Sequence, residues 1–269
     1  MKDAHPAAVY LKDYQPPAYL ITRTELHFEL HEDRALVSSR LHLLRSGEVP
    51  GEVPLELHGQ ELELLSVAVD GRELESDEYR VGEEGLVIDW VPEQCIVSCK
   101  TQIRPQENTS LEGLYKSHSM FCTQCEAHGF RKITYYLDRP DVMSVYTVSI
   151  DADESRYPVL LSNGNLIDSE RGEHGRHRAV WHDPFPKPAY LFALVAGDLA
   201  MVEDSFRTVG ERDVTLRIYV EEKDLGKCEY AMVSLQRAMR WDEEVYGREY
   251  DLDIFNIVAV DDFNMGAME

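Results

Sequence analysis

Closely spaced turn signals break the first two-thirds of this sequence into short alternating segments, and that leaves little room for anything but β-structure. Residues 26–30 and 35–43 alternate apolar and polar side chains around a turn at His31-Glu32-Asp33-Arg34. Residues 62–69 run into Asp70-Gly71, a dipeptide suited to a tight hairpin. Residues 79–81 and 86–90 flank Gly82-Glu83-Glu84-Gly85, and residues 146–151 and 179–182 add further strands. Asn163-Gly164-Asn165 and Gly172-Glu173-His174-Gly175 separate the later elements. Many short strands at this spacing predict a sandwich or an open curved sheet.

The period changes in the last quarter. Between residues 224 and 246, Leu225, Cys228, Met232, Leu235, Met239, Trp241 and Val245 fall close to helical spacing, with Gly247 as a stop. Strands are expected on either side, at 214–220 and 254–260, so the run reads β-α-β. The chain therefore divides into a β-rich part, 1–198, and the start of a second, α+β part, 199–269. Ile218, Val220, Ile254, Ile257 and Val258 should then be partly exposed, or covered by self-association with another copy, because few elements remain to shield them.

Charge narrows the partners. The 269 residues carry 50 acidic and 27 basic side chains, a net charge of -23. Such a surface repels nucleic acid and anionic membranes. No run approaches the ~18 apolar residues of a membrane span, and the polar N-terminus does not read as a signal peptide. Five cysteines, an odd number, fit reduced thiols in a cytoplasmic protein.

Three constellations could carry chemistry. Gly266-Ala267-Met268-Glu269 combines small residues, which let another backbone approach, with a carboxylate able to hold a peptide's protonated amine. Taken alone it better suits an ordinary strand end with a solvated glutamate. Cys122-Thr123-Gln124-Cys125-Glu126 has C-x-x-C spacing, but no second ligand pair at matching distance, so the two thiols read as small buried hydrophobes. In an extended segment Gln124 and Glu126 project to the same side. The H-E-x-x-H zinc signature is absent, and Asp261-Asp262 read as a strand end only.

Eight ordered segments change these odds: residues 109–115 (TSLEGLY), 122–126 (CTQCE), 129–131 (GFR), 135–142 (YYLDRPDV), 161–165 (LSNGN), 183–188 (DPFPKP), 190–198 (YLFALVAGD) and 261–269 (DDFNMGAME). In this order they resemble the bacterial aminopeptidase N family of gluzincin zinc metallo-aminopeptidases. The resemblance implies an antiparallel saddle- or sandwich-like N-terminal domain, then the truncated start of a thermolysin-like catalytic domain. It implies that Gly266, Ala267, Met268 and Glu269 are the first four letters of the G-A-M-E-N exopeptidase motif. Glu126 matches a second amine-binding glutamate, Gln124 a residue lining the same pocket, and Met265 a cushion for the first substrate side chain. The implied ligand is a peptide with a free N-terminus. Zinc and all catalytic residues would lie outside these 269 positions, so the segment alone is expected to be inactive and to bind no metal. A non-catalytic interaction module and a zinc hydrolase of non-peptide substrates are the alternatives.

Overall fold

A computed structural model describes residues 10–47, 49, 51–263, 265 and 266. In chain order its strands are β1 (Tyr19–Leu30), β2 (Ala35–Arg45), β3 (Leu55–His58), β4 (Glu63–Val69), β5 (Arg72–Glu73), β6 (Tyr79–Val81), β7 (Gly85–Ile88), β8 (Gln94–Ile103), β9 (Gly113–Ser117), β10 (Met120–Gln124), β11 (Met143–Asp153), β12 (Val159–Ser162), β13 (Asn165–Arg171), β14 (Arg176–Pro188), β15 (Leu194–Gly197), β16 (Ala200–Arg207), β17 (Asp213–Val220) and β18 (Ile254–Val258). One α-helix, α1 (Glu229–Tyr246), lies between β17 and β18. The protein is mainly β, as the turn spacing predicts.

The largest sheet has eight strands in the order β13-β14-β11-β1-β2-β8-β4-β5. Along β1, Tyr19 and Ile21 point inward, then Thr24, Leu26, Phe28 and Leu30. The change of parity falls at a register shift between Ile21 and Arg23, where an extra residue flips the pleat. One join in this sheet has no local signal: β1 pairs parallel to β11, with Phe28 opposite Ile150.

A second sheet, β12-β15-β10-β9, packs on the first through one shared core. Phe192 sits at the centre of that core, its ring 5.9 Å from Phe28, 5.2 Å from Phe130 and 6.2 Å from Tyr146. Beside these rings the buried hydroxyls of Tyr146, Tyr136, Thr24 and Ser144 form a continuous chain, with spacings of 2.8–3.1 Å. Polar atoms buried this deeply are tolerated because each finds a partner.

The third part is the β16-β17-β18 sheet, in which β17 and β18 run parallel around α1 as the β-α-β reading requires. Ile218 and Val220 do not conform to the expected exposure: they are buried with Val214, Leu216, Met232 and Met239 under α1. The opposite face is covered too, since Tyr219, Ile254 and Val258 pack on the main core. Ile254, Ile257 and Val258 are half-buried. The helix also rotates away from the expected register. Cys228, Met232 and Met239 face the sheet, whereas Trp241 and Val245 are more than half exposed and Glu243 is buried instead. Trp241 lies two residues, about 200° of helical turn, from Met239, so the two cannot share a face. Gly247 ends the helix in the left-handed region at φ 61°, its N–H bonded to the Glu243 carbonyl.

Phe192→Ala should therefore cost about 3–5 kcal/mol in urea unfolding, because it leaves a void among three rings. Trp241→Ala should change stability by less than about 0.5 kcal/mol.

Candidate functional site

The segments that stand in line along the sequence meet in space at the second sheet. Residues 109–115 lead into β9, 122–126 close β10, 161–165 close β12, and 190–198 supply β15. Cys122 pairs with Tyr115 on one side and Val195 on the other, which makes β10 a central strand. Side chains tie the neighbouring loops down. Thr123 Oγ1 accepts the Leu194 N–H at 2.8 Å. Asn163 Oδ1 accepts the Ala193 N–H at 2.7 Å, and its Nδ2 donates to the Leu191 carbonyl at 3.0 Å.

At the end of β10 the chain turns sharply through residues 125–129, and this turn carries Glu126. Gly129 closes it by donating its N–H to the Cys125 carbonyl at 2.8 Å. Gly129 has an ordinary φ of -78°, so only space requires a glycine there. A Cβ at Gly129 would stand 2.6 Å from the Gln124 carbonyl oxygen and 2.9 Å from the Gly113 nitrogen. Gly113, facing it, adopts φ 76°. The two glycines let the turn press flat against the start of β9.

After the turn, Phe130 drops into the aromatic core and Arg131 meets Asp138, an almost completely buried carboxylate. Asp138 Oδ2 accepts from Arg131 Nε at 2.9 Å and from the Arg131 N–H at 3.2 Å, while Arg131 Nη2 donates to the Asp138 carbonyl at 3.0 Å. The Asp138 N–H in turn donates to His58 Nδ1 at 3.2 Å. Burial, reinforced by the Arg131 guanidinium, lowers the His58 pKa and favours the neutral ring that this bond needs.

Of the residues singled out by sequence, the fold brings Gln124 and Met265 together across 141 positions: Gln124 Nε2 lies 2.6 Å from Met265 Sδ. Gln124 is fully buried, and its Oε1 has no hydrogen-bond partner among the described residues. Glu126 is half-buried two residues along the same turn, and Gly266 is exposed. Ala267, Met268 and Glu269 lie outside the described residues. Cys122 and Cys125 are buried free thiols. Burial pushes the Cys122 pKa up to about 11, and raises that of Cys125 with help from Asp138. Both effects oppose the thiolate that metal or redox chemistry requires.

Asp261-Asp262 do more than end a strand. Asp262 is bonded to Tyr115 and Ser117 of β9, a role that no local pattern in the sequence signals. Among the described residues, one group could approach a metal ion: His118, Glu221 and Asp261, with ligand atoms within 4.8 Å of one another. Lys223 Nζ occupies the space between the two carboxylates, 2.7 Å from each. Its ammonium already neutralises them, so the group does not fit a catalytic zinc.

The sequence profile of the peptidase M1 N-terminal domain matches residues 54–191. The chain belongs to the peptidase M1 family. It is 51% identical to aminopeptidase N of Caulobacter vibrioides over 100% of its own length and 31% of that protein. It is 48% identical to aminopeptidase N of Escherichia coli, over 98% of this chain and 30% of that protein. Among solved structures, aminopeptidase A of Legionella pneumophila in complex with aspartic acid superposes with a TM-score of 0.90 at 32% identity, covering 95% of this chain and 30% of that one. The chain thus spans about a third of the length of the curated relatives it matches.

Two measurements check the site's construction. Gly129→Ala should destabilise the fold by about 1–3 kcal/mol, read by urea unfolding, because backbone rather than a flexible side chain must yield. The thiols of Cys95, Cys99, Cys122 and Cys125 should resist a thiol reagent at pH 8 in the native state and react once the chain unfolds. Their protonated forms are favoured by folding, with Cys95 pushed up to about 11 and Cys99 to about 12 from 9.0. Their contribution to stability is therefore complete below pH 9.0 and is lost as pH rises toward those values.

Proposed function

We propose that this chain is the amine-recognising front part of a cytoplasmic zinc aminopeptidase, an enzyme that releases N-terminal residues from peptides. Residues 1–198 form its β-rich domain, and 199–269 begin a thermolysin-like catalytic domain. The substrate pocket lies where the two meet and is lined by Gln124, Glu126, Met265, Gly266, Ala267, Met268 and Glu269. In this reading zinc is held by residues outside the 269 present, so the segment alone neither binds the metal nor turns over substrate. Among the described residues, no helix is long and apolar enough to cross a membrane.

The observation that carries this reading is the meeting of Gln124 with Met265, where the buried Gln124 amide oxygen has no partner among the described residues. An unsatisfied buried acceptor costs about 1–3 kcal/mol, and such groups persist where a ligand satisfies them. A peptide's α-amine has a pKa of ~7.7–8.0 and is largely protonated at neutral pH. It offers three N–H donors to the Gln124 oxygen and to the carboxylates of Glu126 and Glu269. An internal peptide bond offers one N–H and no charge, so the pocket selects chain ends. Family membership and the identity to two aminopeptidases N support the same substrate class.

Glu126→Gln, made in the longer protein that carries this segment, should lower kcat/KM for a free-amine arylamide by about ten- to a hundredfold. That is the worth of one charge-assisted hydrogen bond. Unchanged hydrolysis would remove Glu126 from the pocket. The coding sequence after Glu269 should continue with asparagine and then H-E-x-x-H; a stop codon there would end the aminopeptidase reading.

A further inference from the structure

The contact between Gln124 and Met265 needs something to hold the segment that bears Met265, since β18 ends at Val258 and Gly266 is exposed. The structure shows a fastening that takes up the N–H, the carbonyl and one carboxylate oxygen of a single residue. Tyr115 Oη donates to the Asp262 carbonyl at 2.7 Å. Ser117 Oγ donates to Asp262 Oδ2 at 2.9 Å and accepts the Asp262 N–H at 3.3 Å. Tyr115 and Ser117 are two residues apart on β9, so both side chains project from the same face of the strand. Both are buried, and both belong to the hairpin whose other strand ends in Gln124. The neighbouring Asp261 is paired to Lys223 and so stays on the second part of the chain.

We infer that Tyr115 and Ser117 are positioning residues. By gripping Asp262 they set the spacing between the Gln124–Glu126 wall and the facing edge that bears Met265. The inference rests on the aminopeptidase reading for its consequence in catalysis, but not for the fastening itself. Gln124 and the grip on Asp262 sit at opposite ends of one two-stranded hairpin, so the wall and the edge are referenced to the same rigid element. The burial that surrounds Tyr115 also keeps its phenol protonated, and therefore a donor, across the neutral range.

The first test uses this chain and amide hydrogen exchange. The Ala259 N–H is held by the Tyr219 carbonyl at 3.0 Å, independently of β9, and serves as an internal reference. In the double variant Tyr115→Phe, Ser117→Ala, the Asp262 amide should exchange about tenfold faster while Ala259 keeps its rate. Equal acceleration at both places, or none at either, overturns the fastening. The second test uses the longer protein. The double variant should raise KM for a free-amine arylamide by about tenfold with kcat nearly unchanged, because a displaced edge weakens ground and transition state alike. Asp262→Asn keeps an acceptor for Ser117 and should restore most of what Asp262→Ala loses. Unchanged KM in an active enzyme overturns the positioning role. A longer protein with no activity toward free-amine arylamides instead overturns the aminopeptidase reading, and exchange alone then decides the fastening.

Discussion

The close approach of three backbone segments at Gly113, Gly129 and Gln124 governs the arrangement around it. With no side chain at either glycine, the turn after β10 lies against the start of β9, and its direction is set by that contact. From there the order of events along the chain is forced. Glu126 stays half-buried on the turn, Phe130 enters the core between Phe192 and Tyr136, and Arg131 reaches Asp138. Moving the turn by a fraction of an ångström would disturb a ring cluster and a buried ion pair together. Buried charge pairs contribute little net stability, but they penalise any arrangement that leaves one partner alone. The Arg131–Asp138 pair thus specifies one position for the turn more than it strengthens the fold.

How much of this was legible beforehand depends on the range of the interaction. The hairpin of β1 and β2, the tight turn at Asp70-Gly71, and the β17-α1-β18 unit follow from local period and turn chemistry, and they stand where expected. At Asp70 and Gly71 both φ values are positive, 49° and 81°, as the dipeptide demands. The parallel pairing of β1 with β11 is different in kind, because nothing in either strand distinguishes a parallel from an antiparallel neighbour. The error over Ile218 and Val220 has a related cause. Alternation along β17 shows that one face is apolar, but it does not say what covers it. Here α1 covers Ile218 and Val220 while the main core receives Tyr219 from the opposite face.

The candidate site shows the same division. Its members were found by the resemblance of ordered segments, not by their chemistry. A glutamine, a glutamate and a methionine carry no pattern that would select them from a chain this rich in charge. What the fold adds is the meeting of Gln124 with Met265, and a buried Gln124 oxygen with no partner among the described residues. Tyr115 and Ser117 escaped notice because a tyrosine and a serine alternating in a strand read as ordinary sheet residues. Only their common partner, Asp262, gives them meaning.

The division of labour between the two parts of the chain follows from how each is stabilised. The β-rich part has a continuous core and fixes Gln124 at the end of a central strand, where packing leaves a side chain little freedom. The Met265 segment lies past the last strand, and among the described residues side chains of β9 steady it at Asp262. The chain thus sets a packed wall against a segment held by few bonds. That segment bears Met265, whose flexible thioether can repack against Gln124 where a stiffer side chain could not.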